Sequence, residues 1–248
     1  MLSVTRTGSG PPVVLVHGSV VGAAVTFKHQ QPLAERWTLV MADRPGFGDS
    51  PPLERNDFEQ EAPLFAELLG DGAHLVGHSY GAVIALHVAA QRPEAVRSLA
   101  ISEPGTLRLA AGNPAADAMI AHGEELYRHI DEIDPLAFLR LFRSGVNSGH
   151  ATPDALAGEL LHGAQLAMRE RPPWESDPPL EALAAAQFPK LVISGGHSEA
   201  FDAVCDNLAA AIGAQRAVVT GRNHTIPSAP GYNAVLEEHL SAAQALRD

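Results

Sequence analysis

The sequence predicts an α/β fold with a mostly parallel, doubly wound sheet and a helical block inserted into it. Short apolar runs alternate with stretches whose apolar residues recur at helical spacing, which predicts βαβ units with parallel strands. The apolar runs are nearly continuous, as in strands covered on both faces. Residues 106–186 carry only helical patterns. We therefore predict a core formed by residues 1–105 and 187–248 and a helical cap formed by residues 106–186.

The predicted elements follow the chain in a regular order. Residues 2–7 alternate apolar and polar side chains, which is typical of an edge strand. The other strands are predicted at residues 13–16, 37–42, 73–76, 96–101, 190–194 and 217–220. Core helices are predicted at residues 26–36, 57–69, 82–90, 201–212 and 231–246. Within the cap, helical patterns cover residues 114–130, 135–146 and 154–171, and a proline-rich connector at 171–179 leads back to the core.

Composition excludes several classes of partner. The chain has 248 residues, with 17 Lys and Arg against 29 Asp and Glu, and its formal charge is −12. Such an acidic chain is poorly suited to nucleic acid or to anionic membranes. Cys205 is the single cysteine, so no disulfide can form within the chain, and neither a signal peptide nor a membrane span is evident. We expect a cytoplasmic protein with a small-molecule substrate; the sequence does not indicate the oligomeric state.

A Gly-x-Ser-x-Gly motif at residues 77–81 lies between an apolar run and a helical stretch of small residues. A strand that turns sharply into a helix presents its central residue, here Ser79, in strained backbone geometry. The glycines are needed because side chains there would collide across the turn. The N–H groups that open the helix face the same point and can bind an oxyanion. This context predicts that Ser79 is a nucleophile.

Three further motifs occur in order around this serine. His17-Gly18 ends one strand, Asp-Arg-Pro-Gly-x-Gly-x-Ser at residues 43–50 follows the next strand, and Asn223-His224 comes after the last strand. Together with the serine motif, this order resembles the α/β-hydrolase fold superfamily, in its serine hydrolase branch with a helical cap. The resemblance covers nearly the whole chain outside the cap.

The resemblance implies which residues assist the serine. A serine hydroxyl needs a base within hydrogen-bond reach and an acid that orients the base, and His224 stands in the position of the family's base. The oxyanion is expected to bind the backbone N–H groups of Tyr80, directly after the nucleophile, and of Ser19, directly after the His-Gly pair, with Val20 as the alternative to Ser19. His78 is expected to point away from the site and to be structural.

The acid is the point at which the sequence departs from the family pattern. The family commonly has Asp after the strand that follows the cap, but residues 195–199 are Gly-Gly-His-Ser-Glu and the expected position holds Ser198. Glu103 ends the strand before the cap, which is family strand six and carries the acid in certain haloalkane dehalogenases and in zearalenone-type lactone hydrolases. Glu199 lies one residue past the usual place. We favour Glu103 over Glu199, and His197 is a distant alternative base.

These residues predict a serine hydrolase that cleaves a carboxylic ester or lactone through an acyl-enzyme and needs neither cofactor nor metal. C–C bond hydrolysis and cofactor-free perhydrolysis, the haloperoxidase reaction, are alternatives on the same residues. A non-catalytic ligand binder of the same fold is a further alternative. Val20 and Trp174 are the candidate substrate contacts. An apolar cap with little positive charge favours a small, mostly apolar substrate.

Overall fold

The structure, a computed structural model, describes residues 1–247 and contains a seven-stranded sheet in that range. In chain order the strands are β1 (Val4–Thr7), β2 (Pro12–Val16), β3 (Thr38–Ala42), β4 (Ala73–His78), β5 (Val96–Ser102), β6 (Lys190–Ser194) and β7 (Gln215–Val218). Their spatial order is β1-β3-β2-β4-β5-β6-β7. Strand β1 is antiparallel to β3, and every other neighbouring pair is parallel. The predicted mostly parallel α/β sheet is confirmed.

The register of the central strands determines where the functional loops emerge. The pairing between β2 and β4 extends to the carboxyl ends of the strands, and so does the pairing between β4 and β5. Because these strands are parallel, the residues that follow them lie at one edge of the sheet, the edge at which open α/β sheets bind their ligands. His17, Ser79 and Glu103 follow β2, β4 and β5, so all three leave the sheet at this edge.

Helices cover both faces of the sheet. Within the described residues the α-helices are α1 (Ala23–Thr26), α2 (Phe58–Ala66), α3 (Tyr80–Gln91), α4 (Pro114–Arg128), α5 (Pro135–Gly145), α6 (Gly158–Ala167), α7 (Leu180–Ala185), α8 (Glu199–Ile212) and α9 (Tyr232–Ala245). Helices α2, α3 and α8 pack on one face, and α9 packs on the other. Helix α3 is apolar around nearly its whole circumference because its neighbours bury it on all sides. None of the helices described here combines the length and hydrophobicity that crossing a membrane requires.

Residues 106–186, called the helical insertion below, hold α4 to α7 and no strand in the described structure. Asn113 and Asp134 accept backbone N–H bonds at the starts of α4 and α5, and a proline occupies the first helical position after each. The apolar side chains of the insertion form one cluster with Trp174 and another with Phe138. That the insertion is a separate domain that caps the core stays a prediction.

Several elements differ from their predicted bounds, among them residues 28–35, β7 and α6. Residues 28–35 form a 3₁₀-helix that contains Pro32, where the sequence predicts a helix over residues 26–36. Strand β7 covers residues 215–218 instead of 217–220; it is a half-exposed edge strand, so its apolar pattern is a weak signal. Helix α6 covers residues 158–167 instead of 154–171.

Candidate active site

Ser79 occupies the turn between β4 and α3. Its backbone has φ 55° and ψ −121°, a conformation that costs a residue with a side chain about 1–3 kcal/mol. The turn leaves no room for side chains on either side of Ser79. A Cβ on Gly77 would lie 2.6 Å from the Cα of Ala82, and a Cβ on Gly81 would lie 2.2 Å from the carbonyl oxygen of Val16. The sharp strand-to-helix turn that the motif predicts is present.

His224 lies beside Ser79. It follows β7, directly before a short 3₁₀-helix (Ile226–Ser228), and its Nε2 is 2.8 Å from the Ser79 Oγ. The ring of Phe201 in α8 stacks on the imidazole, with ring centroids 4.4 Å apart and planes inclined by 12°. Only 7% of His224 is exposed. The stacked ring and a hydrogen bond on each ring nitrogen hold the imidazole in one orientation.

Glu103 contacts the other nitrogen of His224. Its Oε2 accepts a hydrogen bond from His224 Nδ1 at 2.7 Å, and its Oε1 accepts one from the backbone N–H of Gly195 at 2.8 Å. The side chain is completely buried, and the backbone has a positive φ of 42°. Burial alone would raise the pKa of the Glu103 carboxyl, but hydrogen bonds from His197 and His224 outweigh burial and lower this pKa to about 2. Glu103 is therefore ionised beside His224 at neutral pH.

His197 lies closer to this site than the sequence suggested. Its Nε2 donates to Glu103 Oε2 at 3.1 Å, so His197 and His224 share one carboxylate oxygen. Glu199 is exposed in the first turn of α8, and Ser198 is the N-cap of that helix. The carboxylate that His224 contacts is that of Glu103.

The two backbone N–H groups expected to bind an oxyanion donate no hydrogen bond within residues 1–247. Tyr80 is the first residue of α3, and Ser19 lies in the loop after β2. This loop passes close to the nucleophile, because a Cβ on Gly18 would lie 3.0 Å from the Ser79 Cβ. Both N–H groups are therefore available to a negatively charged oxygen near Ser79.

The prediction that His78 points away from the site is wrong. Its ring centroid lies 5.1 Å from that of His224. His78 lies two residues after Val76 in β4, so side-chain alternation places it on the face where Val76 packs with Ile226, close after His224 in the chain. Burial and then the neighbouring His224 lower the pKa of His78 to about 3. His78 is therefore neutral and adds no positive charge beside His224.

A small apolar cavity adjoins Ser79. Its volume is about 60 Å³, and the core supplies Ser19, Tyr80, Phe201 and His224 to its walls. The helical insertion supplies most of the rest, among them Leu107, Met119, Leu126, Tyr127, Phe142, Glu170 and Trp174. Trp174 packs edge-on against Tyr127. The cavity suits a small apolar group next to the nucleophile.

A wider groove of about 590 Å³ also reaches Ser79 and His224. Val20 lies in its wall, together with Phe142 from the insertion. The described lining includes Arg143 and Arg222 but no Asp or Glu. In a chain of net charge −12, a lining of this kind favours anionic groups over cationic ones.

One group of three side chains in the described structure is close enough to be considered as a metal site. The possible ligand atoms of Glu103, His197 and His224 all lie within 4.8 Å of one another. Both imidazoles already donate to the same oxygen of Glu103. These hydrogen bonds account for the closeness of the three side chains, so the group fits an acid with two hydrogen-bond donors.

Comparisons with known proteins identify the fold. A family profile described as alpha/beta hydrolase fold matches residues 11–125. The crystal structure of an alpha/beta hydrolase from Sphaerobacter thermophilus superposes with a TM-score of 0.66 at 25% identity, with 96% of each chain covered. The chain belongs to the α/β-hydrolase fold superfamily. It also shares this fold with MenH from S. aureus, at a TM-score of 0.74 and 15% identity over 98% of this chain and 100% of that one.

Curated relatives of this α/β-hydrolase-fold chain include esterases. A protein named pimeloyl-[acyl-carrier protein] methyl ester esterase, from Chromobacterium violaceum, is 37% identical over 168 residues, which is 65% of each chain. A protein of the same name from Methylococcus capsulatus is 30% identical over 184 residues, 70% of this chain and 66% of that protein. The matched part of the chain spans just under two thirds of these relatives.

Two residues at this α/β-hydrolase site, Phe201 and Glu170, could not be predicted from the sequence. Phe201 stacks on His224, and Glu170 is a buried carboxylate in the cavity wall. Neither belongs to a motif. Glu170 comes at the end of a predicted helix, where a solvated carboxylate is the ordinary expectation. Long-range packing is what brings both side chains to the site.

Proposed function

We propose that this protein is a serine hydrolase that cleaves a carboxylic ester, open-chain or cyclic, through an acyl-enzyme. Ser79 is the nucleophile, His224 is the base, and Glu103 is the acid that orients the base. The observation that carries this proposal is the series of hydrogen bonds through the three side chains. The distance from His224 Nε2 to Ser79 Oγ is 2.8 Å, and the distance from His224 Nδ1 to Glu103 Oε2 is 2.7 Å.

The reaction proceeds in two halves. Ser79 Oγ attacks the carbonyl carbon while His224 Nε2 takes the serine proton, and ionised Glu103 stabilises the imidazolium that forms. The N–H groups of Ser19 and Tyr80 bind the oxyanion. The intermediate then collapses, the alcohol leaves with the proton from His224, and an acyl-enzyme remains. Water, deprotonated by His224, attacks the acyl carbon, and the acid is released as Ser79 regains its proton.

Two observations support the substrate class. The curated relatives named above are methyl ester esterases, which supports ester hydrolysis, and the cavity beside Ser79 is small and almost entirely apolar. We propose that the helical insertion acts as a cap and that a short apolar part of the substrate occupies this cavity against Trp174. The remainder of the ester lies in the wider groove, against Val20.

A fluorophosphonate probe tests the reaction. The protein should gain the mass of one phosphonyl group and should hydrolyse p-nitrophenyl butyrate, and Ser79→Ala should lose both properties. Ser98→Ala is the matched control, because it removes a buried serine hydroxyl that bonds His74 outside the cavity and the groove. A wild-type protein that is neither labelled nor active would overturn the proposal in favour of a non-catalytic binder.

A further inference from the structure

The loop that carries Ser19 is strained and has few hydrogen bonds of its own. Val20, a β-branched residue, has a positive φ of 75°, a region that such residues rarely adopt. Within the loop, Val21 N–H donates to the Ser19 carbonyl at 3.0 Å. Strained backbone of this kind persists only where its surroundings hold it, so the contacts around the loop determine the position of the Ser19 N–H.

Glu170 of the helical insertion makes one of these contacts. Its Oε2 accepts a hydrogen bond from the Ser19 hydroxyl at 2.5 Å. Its Oε1 accepts one from Arg44 Nη1 at 2.8 Å, and the same Nη1 donates to the Gly18 carbonyl at 3.1 Å. Glu170 and Arg44 are both buried. One carboxylate therefore holds the loop directly at Ser19 and indirectly at Gly18.

Arg44 also contacts the second oxyanion residue. Its guanidinium carbon lies 4.1 Å from the centroid of the Tyr80 ring. Two hydrogen bonds to Glu61, at 2.8 and 2.9 Å, fix the guanidinium from the opposite side. Glu170 and Arg44 thus contact the two residues whose N–H groups are proposed to bind the oxyanion: Glu170 contacts Ser19, and Arg44 contacts Tyr80.

The helical insertion packs on this loop at a second point. A Cβ on Gly163 in α6 would lie 1.7 Å from the Val20 carbonyl oxygen. Only glycine permits this approach of α6 to the loop. The insertion and the oxyanion loop are therefore in direct contact through both Glu170 and Gly163.

We propose that Glu170 is a positioning residue that couples the docked helical insertion to the geometry of the oxyanion hole. The proposal rests on the function proposed above. Glu170 itself touches neither the nucleophile nor the base. It acts by holding the Ser19 hydroxyl and, through Arg44, the Gly18 carbonyl, so that the Ser19 N–H is directed at the oxygen on which negative charge develops.

An alternative explanation is that Glu170 only stabilises the fold by pairing with Arg44. Glu61 provides a direct comparison, because it is a buried carboxylate on the same arginine and it makes no contact with Ser19. If ion pairing were the whole role of Glu170, removal of either carboxylate would have the same effect on turnover. If the hydrogen bond to Ser19 matters, only removal of Glu170 reduces turnover strongly.

Four single variants and one double variant test the proposal; the single variants are Ser19→Ala, Glu170→Leu, Glu170→Gln and Glu61→Gln. Ser19→Ala and Glu170→Leu should each lower kcat about tenfold while KM stays within about twofold, because the interaction acts in the transition state. Glu170→Gln keeps an acceptor for the Ser19 hydroxyl and should recover part of kcat. The double variant Ser19→Ala/Glu170→Leu should lose no more than either single variant, because both remove the same contact.

A trifluoromethyl ketone separates this role from a general loss of stability. This inhibitor forms a tetrahedral oxyanion on the serine, so its Ki should rise in parallel with the loss of kcat, whereas the Ki of a product carboxylate should not change. Glu61→Gln should lower Tm but leave kcat within about threefold of wild type. Equal kcat losses in Glu61→Gln and Glu170→Leu, or an unchanged kcat in Ser19→Ala, would overturn the proposal. A wild-type enzyme that fails to react with a fluorophosphonate would instead overturn the proposed function.

Discussion

His197 and His224 bind the same oxygen of Glu103. The distances are 3.1 Å from His197 Nε2 and 2.7 Å from His224 Nδ1, and the other carboxylate oxygen accepts the backbone N–H of Gly195. Three donors therefore stabilise one buried carboxylate at the end of β5. In a position where burial disfavours charge, these hydrogen bonds keep Glu103 ionised.

Glu103→Gln should lower kcat by about 10³- to 10⁴-fold, the loss expected when the acid of such a triad becomes an amide. The amide can favour the wrong tautomer of His224 and cannot stabilise the imidazolium. Glu199→Gln is the matched control, since Glu199 is exposed on α8, and its kcat should stay within about twofold of wild type. Steady-state hydrolysis of p-nitrophenyl butyrate measures both variants. A loss of turnover confined to Glu199→Gln would assign the acid to Glu199.

Parts of the active site could be predicted from the sequence, but the choice between Glu103 and Glu199 depends on the folded structure. Ser79 could be predicted as the residue at the turn because flanking glycines and an apolar strand encode that turn locally. His224 could be predicted to lie near it because the order of motifs along the chain indicates the fold. Which carboxylate reaches His224 depends on the register of β5 against β6 and on the Gly195 N–H, and neither has a local signal.

The positions of the Glu170 and His78 side chains could not be predicted from the sequence either. A helical pattern predicts which face of a helix is buried, but it does not predict that a carboxylate at the helix end inserts between a loop and an arginine of the core. His78 lies on the same face of β4 as Val76, and the strand pattern does not predict that the segment around Ile226, which follows His224, covers that face. Both residues are explained by packing between distant segments of the chain.

The pKa of Glu103 predicts how stability changes at low pH. The usual value of 4.5 falls to about 2 in the folded protein, so the folded state binds the proton more weakly than the unfolded chain does. The stability that comes from ionised Glu103 is present above pH 4.5 and is lost as pH falls toward 2. Thermal melts of wild type and Glu103→Gln at several pH values measure this effect, and the difference in Tm should shrink from pH 5 to pH 2. A constant difference would contradict the contribution of Glu103.

His197 should contribute to stability in the opposite pH direction. Burial lowers the pKa of His197, but the hydrogen bond and charge of Glu103 outweigh burial and raise this pKa above 6.5. A raised pKa gives stability that is present below pH 6.5 and is lost as pH rises through the folded value. The Tm of wild type should therefore exceed that of His197→Gln by more at pH 5.5 than at pH 9.

His129→Gln is the control for the prediction at His197. His129 is half-buried and pairs with Glu125 and Glu132 on the surface of the insertion, where ion pairs contribute little. Its Tm difference from wild type should stay small at both pH values. A Tm difference for His197→Gln that grows toward pH 9 would mean that the neutral imidazole, rather than the imidazolium, stabilises Glu103.

The groove predicts a preference for esters that carry a negative charge away from the scissile bond. Arg143 and Arg222 lie in its wall with no acidic neighbour among the described lining residues, whereas the sequence predicts a small, mostly apolar substrate. Two matched pairs of p-nitrophenyl esters test this preference: one pair differs by a carboxylate on the acyl part, the other by a carboxylate on the aryl part. In one of the two pairs, the anionic ester should have about three- to tenfold higher kcat/KM than the neutral ester. The advantage should fall as salt is raised.

Arg143→Gln should remove most of that advantage, whereas Arg128→Gln should keep it. Arg128 is an exposed arginine of the same insertion, paired with Glu125 and outside the groove. The two variants change the net charge of the chain equally, so a difference between them reports the local charge of the groove. Neutral esters that match or exceed their anionic partners at low salt would show that the groove does not select for charge.

The small cavity predicts the length of chain that the enzyme accepts. A volume of about 60 Å³ has room for a few carbon atoms, so kcat/KM for p-nitrophenyl esters should be highest for acetate or butyrate and should fall steeply by octanoate. Met119→Ala removes atoms from the cavity wall. It should raise kcat/KM for hexanoate relative to acetate about tenfold, because one or two added methylenes then find space.

Leu141→Ala controls for the loss of an apolar side chain from the insertion. Leu141 is 43% exposed on α5 and lies in the walls of neither the cavity nor the groove, so the order of preference among esters should stay that of wild type. If Met119→Ala leaves the acyl series unchanged but shifts a matched series of acetate esters with longer alcohols, the cavity holds the alcohol part. If neither series changes, the substrate does not enter the cavity. A larger cavity would otherwise change kcat/KM for the series that varies the part of the ester bound there.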